Sequence, residues 1–120
     1  ALGEEKKGTM IGTPQWCAPE LLRNDPYDEK VDVYSFGILL WELVARQGPY
    51  PSLSPDQVRI EVLTNGLRPV PPPNTPPSLR QLMERCWQSD PTARPSFVAI
   101  IEVLNQLQAE WQHSPAAAQH

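Results

Sequence analysis

The stretch from residue 30 to residue 46 constrains the fold more than any other part of the chain. Its centre, VDVYSFGILLWELV, has helical character and places apolar side chains on almost every face. A helix that is hydrophobic all round belongs inside a larger protein or a membrane. The stretch is shorter than the about 20 residues that cross a bilayer, and it contains Asp32 and Glu42, so we predict burial within protein. A chain of 120 residues offers little material to surround such a helix.

Four further helices are predicted, at about 19–23, 55–63, 78–88 and 96–112. Pro19 and Pro55 stand at first helical positions, Ser54 and Asp28 are candidate N-caps, and Gly or Asn-Asp turns follow the early helices. The last two helices carry apolar residues at helical spacing: Leu79, Leu82, Met83, Cys86 and Trp87 in one, and Phe97, Ile100, Ile101, Leu104, Leu107 and Trp111 in the other. No strand pattern or internal repeat is visible, so the predicted fold class is mainly α.

The segment 67–78, LRPVPPPNTPPS, is predicted to be an extended connector of polyproline type. It contains two P-x-x-P spacings, from Pro69 to Pro72 and from Pro73 to Pro76, which would also suit an SH3 or WW domain. We favour a rigid connector, because such a composition stiffens a loop without any ligand. A helical adaptor that binds SH3 domains through this loop is a weaker alternative.

Composition excludes several classes of function. The net charge of −4 favours no nucleic-acid partner, because proteins that bind phosphate backbones usually carry a basic surface. Cys17 and Cys86 are far apart, which indicates neither a disulfide framework nor a zinc site and favours an intracellular, cytoplasmic location. No apolar run is long enough for a membrane segment, and no secretory signal opens the chain. The first residue is Ala, which fits either a removed Met or a piece of a longer protein.

No self-sufficient catalytic constellation is visible in the sequence. His113 and His120 lie in the segment 113–120, which is predicted to be a disordered tail, and no phosphate-binding, metalloprotease or nucleophile-elbow motif occurs. The remaining candidates are polar groups that need partners. Asp32 in the apolar helix would be costly if it were buried alone.

Glu20 is the second such group, and its candidate partners are the arginines at positions 80, 85 and 94. A planar guanidinium is the natural bidentate partner of a carboxylate. Arg94 is the favoured partner, because Pro91 and Pro95 hold it in a rigid turn between two helices.

Three motifs now stand in order along the chain with helix-sized gaps: GTPQWCAPELL, DVYSFGILLWEL and CWQSDPTARPSF. Together they resemble the C-terminal lobe of a eukaryotic protein kinase over residues 8 to 111. A-P-E is the signature at the end of the kinase activation segment. Thr13 resembles the threonine that lies beside the catalytic Asp in kinases acting on Ser and Thr. The pattern Cys86-Trp87…Asp90-Pro91…Arg94-Pro95, in contrast, is shared by tyrosine kinases and tyrosine-kinase-like kinases. The combination resembles the tyrosine-kinase-like group with Ser/Thr specificity.

The resemblance implies a role for each matching position. Glu20 would pair with Arg94 and pin the activation segment to the lobe. Asp32 would anchor the catalytic loop by accepting its backbone N–H groups, although capping of its own helix is an equally simple interpretation. Gly12, Thr13 and Trp16 would belong to the loop on which a protein substrate docks. Thr9 and Thr13 would be possible phosphosites, and they are equally well explained as ordinary loop hydroxyls.

The resemblance also implies what is missing. Phosphoryl transfer in this family needs a Gly-rich loop, a strand Lys with its helix Glu, a catalytic-loop Asp and Asn, and the Asp of D-F-G. None is present, so the expected fold is a helical part of the C-terminal lobe that lacks the N-lobe and the catalytic loop. We expect no catalytic, cofactor-binding or metal-binding residue in this chain, and ATP and Mg²⁺ are implied only for the parent kinase domain.

The predicted organisation has three parts: residues 1–17 as the end of the activation segment with the docking loop, 18–112 as the helical lobe, and 113–120 as the tail. The predicted function is part of a Ser/Thr protein kinase that provides substrate docking and structural bracing. Its partners would be a protein substrate and the remainder of the kinase domain. The alternative is a non-catalytic scaffold, either pseudokinase-like or truncated.

Overall fold

A computed structural model describes residues 14–112 of the chain, and the side chains of residues 14–110. The predictions for Thr9, Gly12 and Thr13 lie outside the described residues. So do those for the tail 113–120 and for the side chain of Trp111.

The described part of the chain is helical, with no extended strand. It forms α1 (Pro19–Leu22), α2 (Lys30–Ala45), α3 (Pro55–Asn65), α4 (Pro77–Cys86) and α5 (Phe97–Gln112). Two single 3₁₀ turns, Pro14–Trp16 and Pro91–Ala93, precede α1 and α5. The predicted class, mainly α, is therefore confirmed, and each predicted boundary lies within about two residues of the observed one, the usual uncertainty of helix ends.

Local capping explains where the helices begin. The Ser54 hydroxyl accepts a hydrogen bond from the Gln57 N–H at 3.2 Å, while the Ser54 N–H donates to the Gln57 side chain at 2.8 Å, which is a complete capping box. The Asp28 carboxylate accepts from the Lys30 N–H at 2.9 Å at the start of α2. Gly66 ends α3 in the left-handed conformation with φ of 65°.

Helix α2 lies at the centre of the larger core cluster and packs most extensively against α4. The two helices approach closely at Gly37, where an added Cβ would lie 2.7 Å from the Cβ of Cys86. The buried members of this cluster are Ala18, Val31, Val33, Tyr34, Ile38, Leu40, Trp41, Leu82, Met83, Cys86, Trp87 and Ile100. A smaller cluster joins the segment before α1 to α3 through Cys17, Leu22, Tyr50, Val58 and Val62.

The structure shows how far two apolar helix faces are covered. The described residues leave part of α2 exposed, as expected for a chain with little material to surround it, since Leu39 is 46% and Leu43 is 68% exposed. In α5 the buried residue is Ile100, whereas Ile101 is 56% exposed and does not belong to the packed stripe. Consecutive helical residues point about 100° apart, and this rotation turns Ile101 away from the elements that cover Ile100.

Candidate functional site

The centre of the candidate site is a buried ion pair that joins α1 to the turn before α5. Both terminal nitrogens of Arg94 donate to Glu20, Nη1 to Oε2 at 2.7 Å and Nη2 to Oε1 at 2.9 Å. The arrangement is the bidentate fork that a planar guanidinium forms with a carboxylate. Glu20 is 5% and Arg94 is 2% exposed, so water screens the pair little.

Backbone carbonyls satisfy the remaining N–H groups of Arg94. Its Nε donates to the Gln88 carbonyl at 2.8 Å, and Nη1 donates also to the Lys30 carbonyl at 2.9 Å. The longest contact runs from Nη2 to the Ser89 carbonyl at 3.4 Å. In return the Lys30 ammonium donates to the Arg94 carbonyl at 2.7 Å. A single guanidinium thus connects α1, the start of α2 and the end of α4.

The sequence around Arg94 explains why it reaches this position. Pro91 begins the 3₁₀ turn, and the Asp90 carboxylate accepts from both the N–H and the hydroxyl of Thr92, at 2.9 and 2.7 Å. These hydrogen bonds from Thr92 are the main cause of the lowered pKa of Asp90. Of the three arginines that the sequence offered to Glu20, Arg80 and Arg85 are exposed on α4, and Arg94 makes the pair.

Trp16, the described member of the predicted docking set, is fastened to α2 at two points. The Ser35 hydroxyl donates to the Trp16 carbonyl at 2.7 Å, and the Trp16 indole Nε1 donates to the Glu42 carboxylate. These bonds to Ser35 and Glu42 were missed from the sequence. The signal was present in part, because a carboxylate in an apolar helix needs a donor and an indole N–H is a donor without acceptor capacity.

A cavity of about 220 Å³ opens beside Trp16, lined by Gln15, Trp16, Gly48, Pro49, Tyr50, Pro51 and Leu53. Two of these residues carry buried polar atoms for which the described part of the chain offers no hydrogen-bond partner, the Gln15 Oε1 and the Tyr50 hydroxyl. Burial also raises the pKa of the Tyr50 hydroxyl, so it is neutral at physiological pH.

Asp32 corrects a prediction. It is exposed rather than buried, and no side-chain hydrogen bond joins it to another residue within 14–110. The carboxylate that caps α2 belongs to Asp28 instead. Asp32 lies seven residues before Leu39, two turns along the same face of α2, and both side chains are exposed. Its role in anchoring a catalytic loop stays a prediction.

Comparison with known sequences decides the family. The family model described as "Protein tyrosine and serine/threonine kinase" matches residues 3–104. The chain belongs to this protein kinase family. The match includes Glu20, Arg94 and Trp16. The buried ion pair and the hydrogen bonds of Trp16 to α2 therefore lie within a kinase domain.

Curated relatives agree with this assignment. Over 96 residues the chain is 50% identical to the serine/threonine-protein kinase STY17 of Arabidopsis thaliana. The aligned region covers 80% of the chain and 17% of that kinase. It is 48% identical over 99 residues to the probable serine/threonine-protein kinase drkC of Dictyostelium discoideum, covering 82% of the chain and 13% of drkC. It is also 44% identical to the serine/threonine/tyrosine-protein kinase HT1 of Arabidopsis thaliana, with 85% of the chain and 26% of HT1 covered.

STY17 and drkC are named Ser/Thr kinases and HT1 a Ser/Thr/Tyr kinase, and the predicted group, Ser/Thr kinases of the tyrosine-kinase-like type, is confirmed. The chain spans about a quarter or less of the length of the three relatives. The matched part of the kinase domain is its helical C-terminal-lobe portion.

Within 14–110, no group of three His, Cys, Asp or Glu side chains is close enough to hold a metal ion. No helix between residues 14 and 112 is long and apolar enough to cross a membrane. Both cysteines are buried, and burial raises the pKa of the Cys86 thiol to about 11.

Proposed function

We propose that this chain is part of the catalytic domain of a Ser/Thr protein kinase of the tyrosine-kinase-like type, whose complete form transfers the γ-phosphoryl group of ATP to protein Ser or Thr. Within that domain, residues 12–16 dock the protein substrate, and the Glu20–Arg94 pair braces this loop against the lobe. The observation that carries the proposal is the buried bidentate pair, because it lies inside the kinase match and begins four residues after Trp16.

The surroundings of Trp16 support a docking role. Its carbonyl and indole are both hydrogen-bonded to α2, so Trp16 is pre-organised for a ligand and loses little entropy on binding. The cavity of about 220 Å³ beside Trp16 has space for a side chain of a bound polypeptide. Proline, tyrosine and leucine side chains from 49–53 form its opposite wall.

The exposed face of α2 supports the second proposed partner, the remainder of the kinase domain. Phe36, Leu39 and Leu43 follow one another at spacings of three and four residues, so they form one apolar stripe. The Phe36 ring meets Phe97 of α5 edge to face, with ring centroids 5.8 Å apart, which extends the stripe to Phe97 and Ile101. Contiguous exposed apolar surface of this kind marks an interaction site.

The test uses the complete protein that carries this sequence, purified and supplied with ATP, Mg²⁺ and a Ser/Thr peptide library. We expect ATP-dependent phosphorylation of Ser or Thr peptides, whereas the 120-residue chain by itself should transfer no phosphate. A complete protein that transfers nothing would refute the proposed activity and leave the non-catalytic scaffold. Phosphorylation by the 120-residue chain alone would refute the role of the chain as a docking and bracing part.

The docking role has its own matched pair of variants. Trp16→Phe keeps an aromatic ring but removes the N–H that donates to Glu42, and we expect the KM for peptide to rise several-fold while the KM for ATP stays unchanged. Trp41→Phe makes the same change at an indole N–H that donates to the Val70 carbonyl at 2.7 Å, and it leaves the bond between Trp16 and Glu42 in place. Equal effects of the two variants on the peptide KM would contradict the docking role of residues 12–16.

A further inference from the structure

Arg68 in the proline-rich connector makes contacts that a simple spacer does not need. Its Nε donates to the Trp87 carbonyl at 2.8 Å, and its Nη2 donates to the Ser89 hydroxyl at 3.1 Å. Its Nη1 donates to the carbonyl of the neighbouring Leu67 at 2.8 Å. The guanidinium therefore binds the backbone that follows α4, 19 to 21 residues further along the chain.

Arg68 and Arg94 bind the same short segment. Arg68 takes the carbonyl of Trp87 and the hydroxyl of Ser89, while Arg94 takes the carbonyls of Gln88 and Ser89. Two guanidinium groups thus bind residues 87–89. A displacement of either guanidinium moves the backbone whose acceptors bind the other one.

Both guanidinium groups also lie against one aromatic ring. The central carbon of Arg68 is 5.0 Å, and that of Arg94 is 5.2 Å, from the centroid of Tyr34 in α2. Tyr34 is fully buried. Contacts between a guanidinium and a ring face within about 6 Å are favourable and are strengthened by desolvation. The shared ring brings together two cations that would otherwise repel each other.

We propose that Arg68 is a positioning residue, which holds Arg94 in the orientation that pairs with Glu20 and so couples the proline-rich connector to the docking loop. The coupling runs through contacts already described: Arg68 to the segment 87–89 and Tyr34, these to Arg94, and Arg94 to Glu20 at the start of α1. Its consequence for substrate binding rests on the proposed kinase function, whereas the coupling itself does not.

Loss of the Arg68 guanidinium has a defined effect on this chain of contacts. The Trp87 carbonyl loses its donor and the Ser89 hydroxyl loses its arginine. Of the two arginines, only Arg94 then binds the segment 87–89. The Tyr34 ring, which Arg94 contacts, has also lost its contact with the Arg68 guanidinium. We therefore expect the Glu20–Arg94 fork to loosen although neither of its members has changed.

Hydrogen exchange of the complete protein, followed by mass spectrometry, tests the coupling without any need for activity. The reporter is the peptide 17–25, whose amides include the Leu22 N–H bonded to the Ala18 carbonyl and the Asp25 N–H bonded to the Glu20 carbonyl. We expect Arg68→Ala to speed exchange in this peptide by about tenfold, the factor that corresponds to about 1.4 kcal/mol of local destabilisation. Arg59→Ala is the control, because Arg59 is exposed on α3.

Two further variants separate positioning from general packing or charge. Arg68→Lys keeps the charge and the stem but loses the planar fork, so it should not restore the exchange rate of the wild type. Arg68→Ala combined with Glu20→Gln should speed exchange of peptide 17–25 less than the product of the two single effects, since both changes act on one network. When Arg59→Ala is combined with Glu20→Gln, the change in the exchange rate of peptide 17–25 should equal the product of the two single effects.

Activity supplies the last measurement. In an active kinase, Arg68→Ala should raise the peptide KM several-fold and leave the KM for ATP unchanged. If the wild-type protein transfers no phosphate, the proposed function fails, and the exchange experiment still decides the coupling. Equal exchange in Arg68→Ala and Arg59→Ala, full rescue by Arg68→Lys, or a multiplicative double variant with Glu20→Gln would overturn the inference.

Discussion

Glu20→Gln tests the importance of the buried pair with the smallest possible change of shape. One oxygen of Glu20 is replaced by an amide NH₂, which then faces an N–H of Arg94 instead of accepting from it. The Arg94 guanidinium, 2% exposed, is left without a counter-ion. Removing one member of a buried pair in this way costs about 3–5 kcal/mol, because it leaves an uncompensated buried charge. This cost is a large part of the about 5–15 kcal/mol that holds a typical domain folded.

The chain offers a matched control in its exposed pair. The Arg23 Nε donates to the Asp25 carboxylate at 2.8 Å, nearly the distance within the buried pair, but both side chains are 49% exposed. Asp25→Asn makes the same chemical change there and should cost at most about 1 kcal/mol, because water and salt screen the pair. The two pairs thus have nearly the same donor–acceptor distance, and they differ in burial and in having two hydrogen bonds or one.

The assay is urea unfolding of the kinase domain within the complete protein, followed by tryptophan fluorescence and by far-UV circular dichroism. We expect Glu20→Gln to lower the unfolding midpoint clearly and to keep the slope, while Asp25→Asn stays near the wild type. If Glu20→Gln destabilises the domain no more than Asp25→Asn does, the pair contributes no more than a surface pair and the bracing role is refuted.

The remaining predictions concern packing and titration. Gly37→Ala would place a Cβ 2.7 Å from that of Cys86, so we expect about 1–3 kcal/mol of destabilisation by overpacking, whereas Gly48→Ala meets nothing within 4 Å and should be nearly neutral in the same unfolding assay. Cys86 is buried and its pKa is raised to about 11, so iodoacetamide at pH 8 should label it only after unfolding. Rapid labelling of Cys86 in the native protein, detected by mass spectrometry, would contradict this prediction. Burial raises the pKa of Tyr34 from 10.0 to about 12. Between about pH 10 and 12 the Tyr34 hydroxyl is therefore protonated in the folded state and ionised in the unfolded state, so the free energy of unfolding falls as the pH rises through this window. Tyr34→Phe should make this decrease smaller. An unchanged dependence of stability on pH in the variant would contradict the prediction.

Local sequence determined the helix starts, because the groups that set them are neighbours in the chain. Pro19 and Pro55 at first helical positions, the Ser54 capping box and the Asp28 carboxylate all act within three residues of the backbone that they organise. The buried face of α4 was likewise predictable from helical spacing, and Leu82, Met83 and Cys86 are buried as expected.

Tertiary structure decided which long-range partners meet. The sequence allowed three arginines for Glu20, and the turn begun by Pro91 brings Arg94 to it across 74 residues. Spacing had no information on the indole of Trp16 reaching Glu42, or on Arg68 reaching Trp87, since these contacts depend on how loops cross the helices.

The central apolar helix shows the same division. Its sequence determined that it would lie at the centre of a core, because so many of its side chains gain free energy by leaving water. Only the tertiary structure decided which face is covered. Val33, Tyr34 and Ile38 are buried by the elements of this chain, while Asp32, Leu39 and Leu43 share the face that those elements leave open.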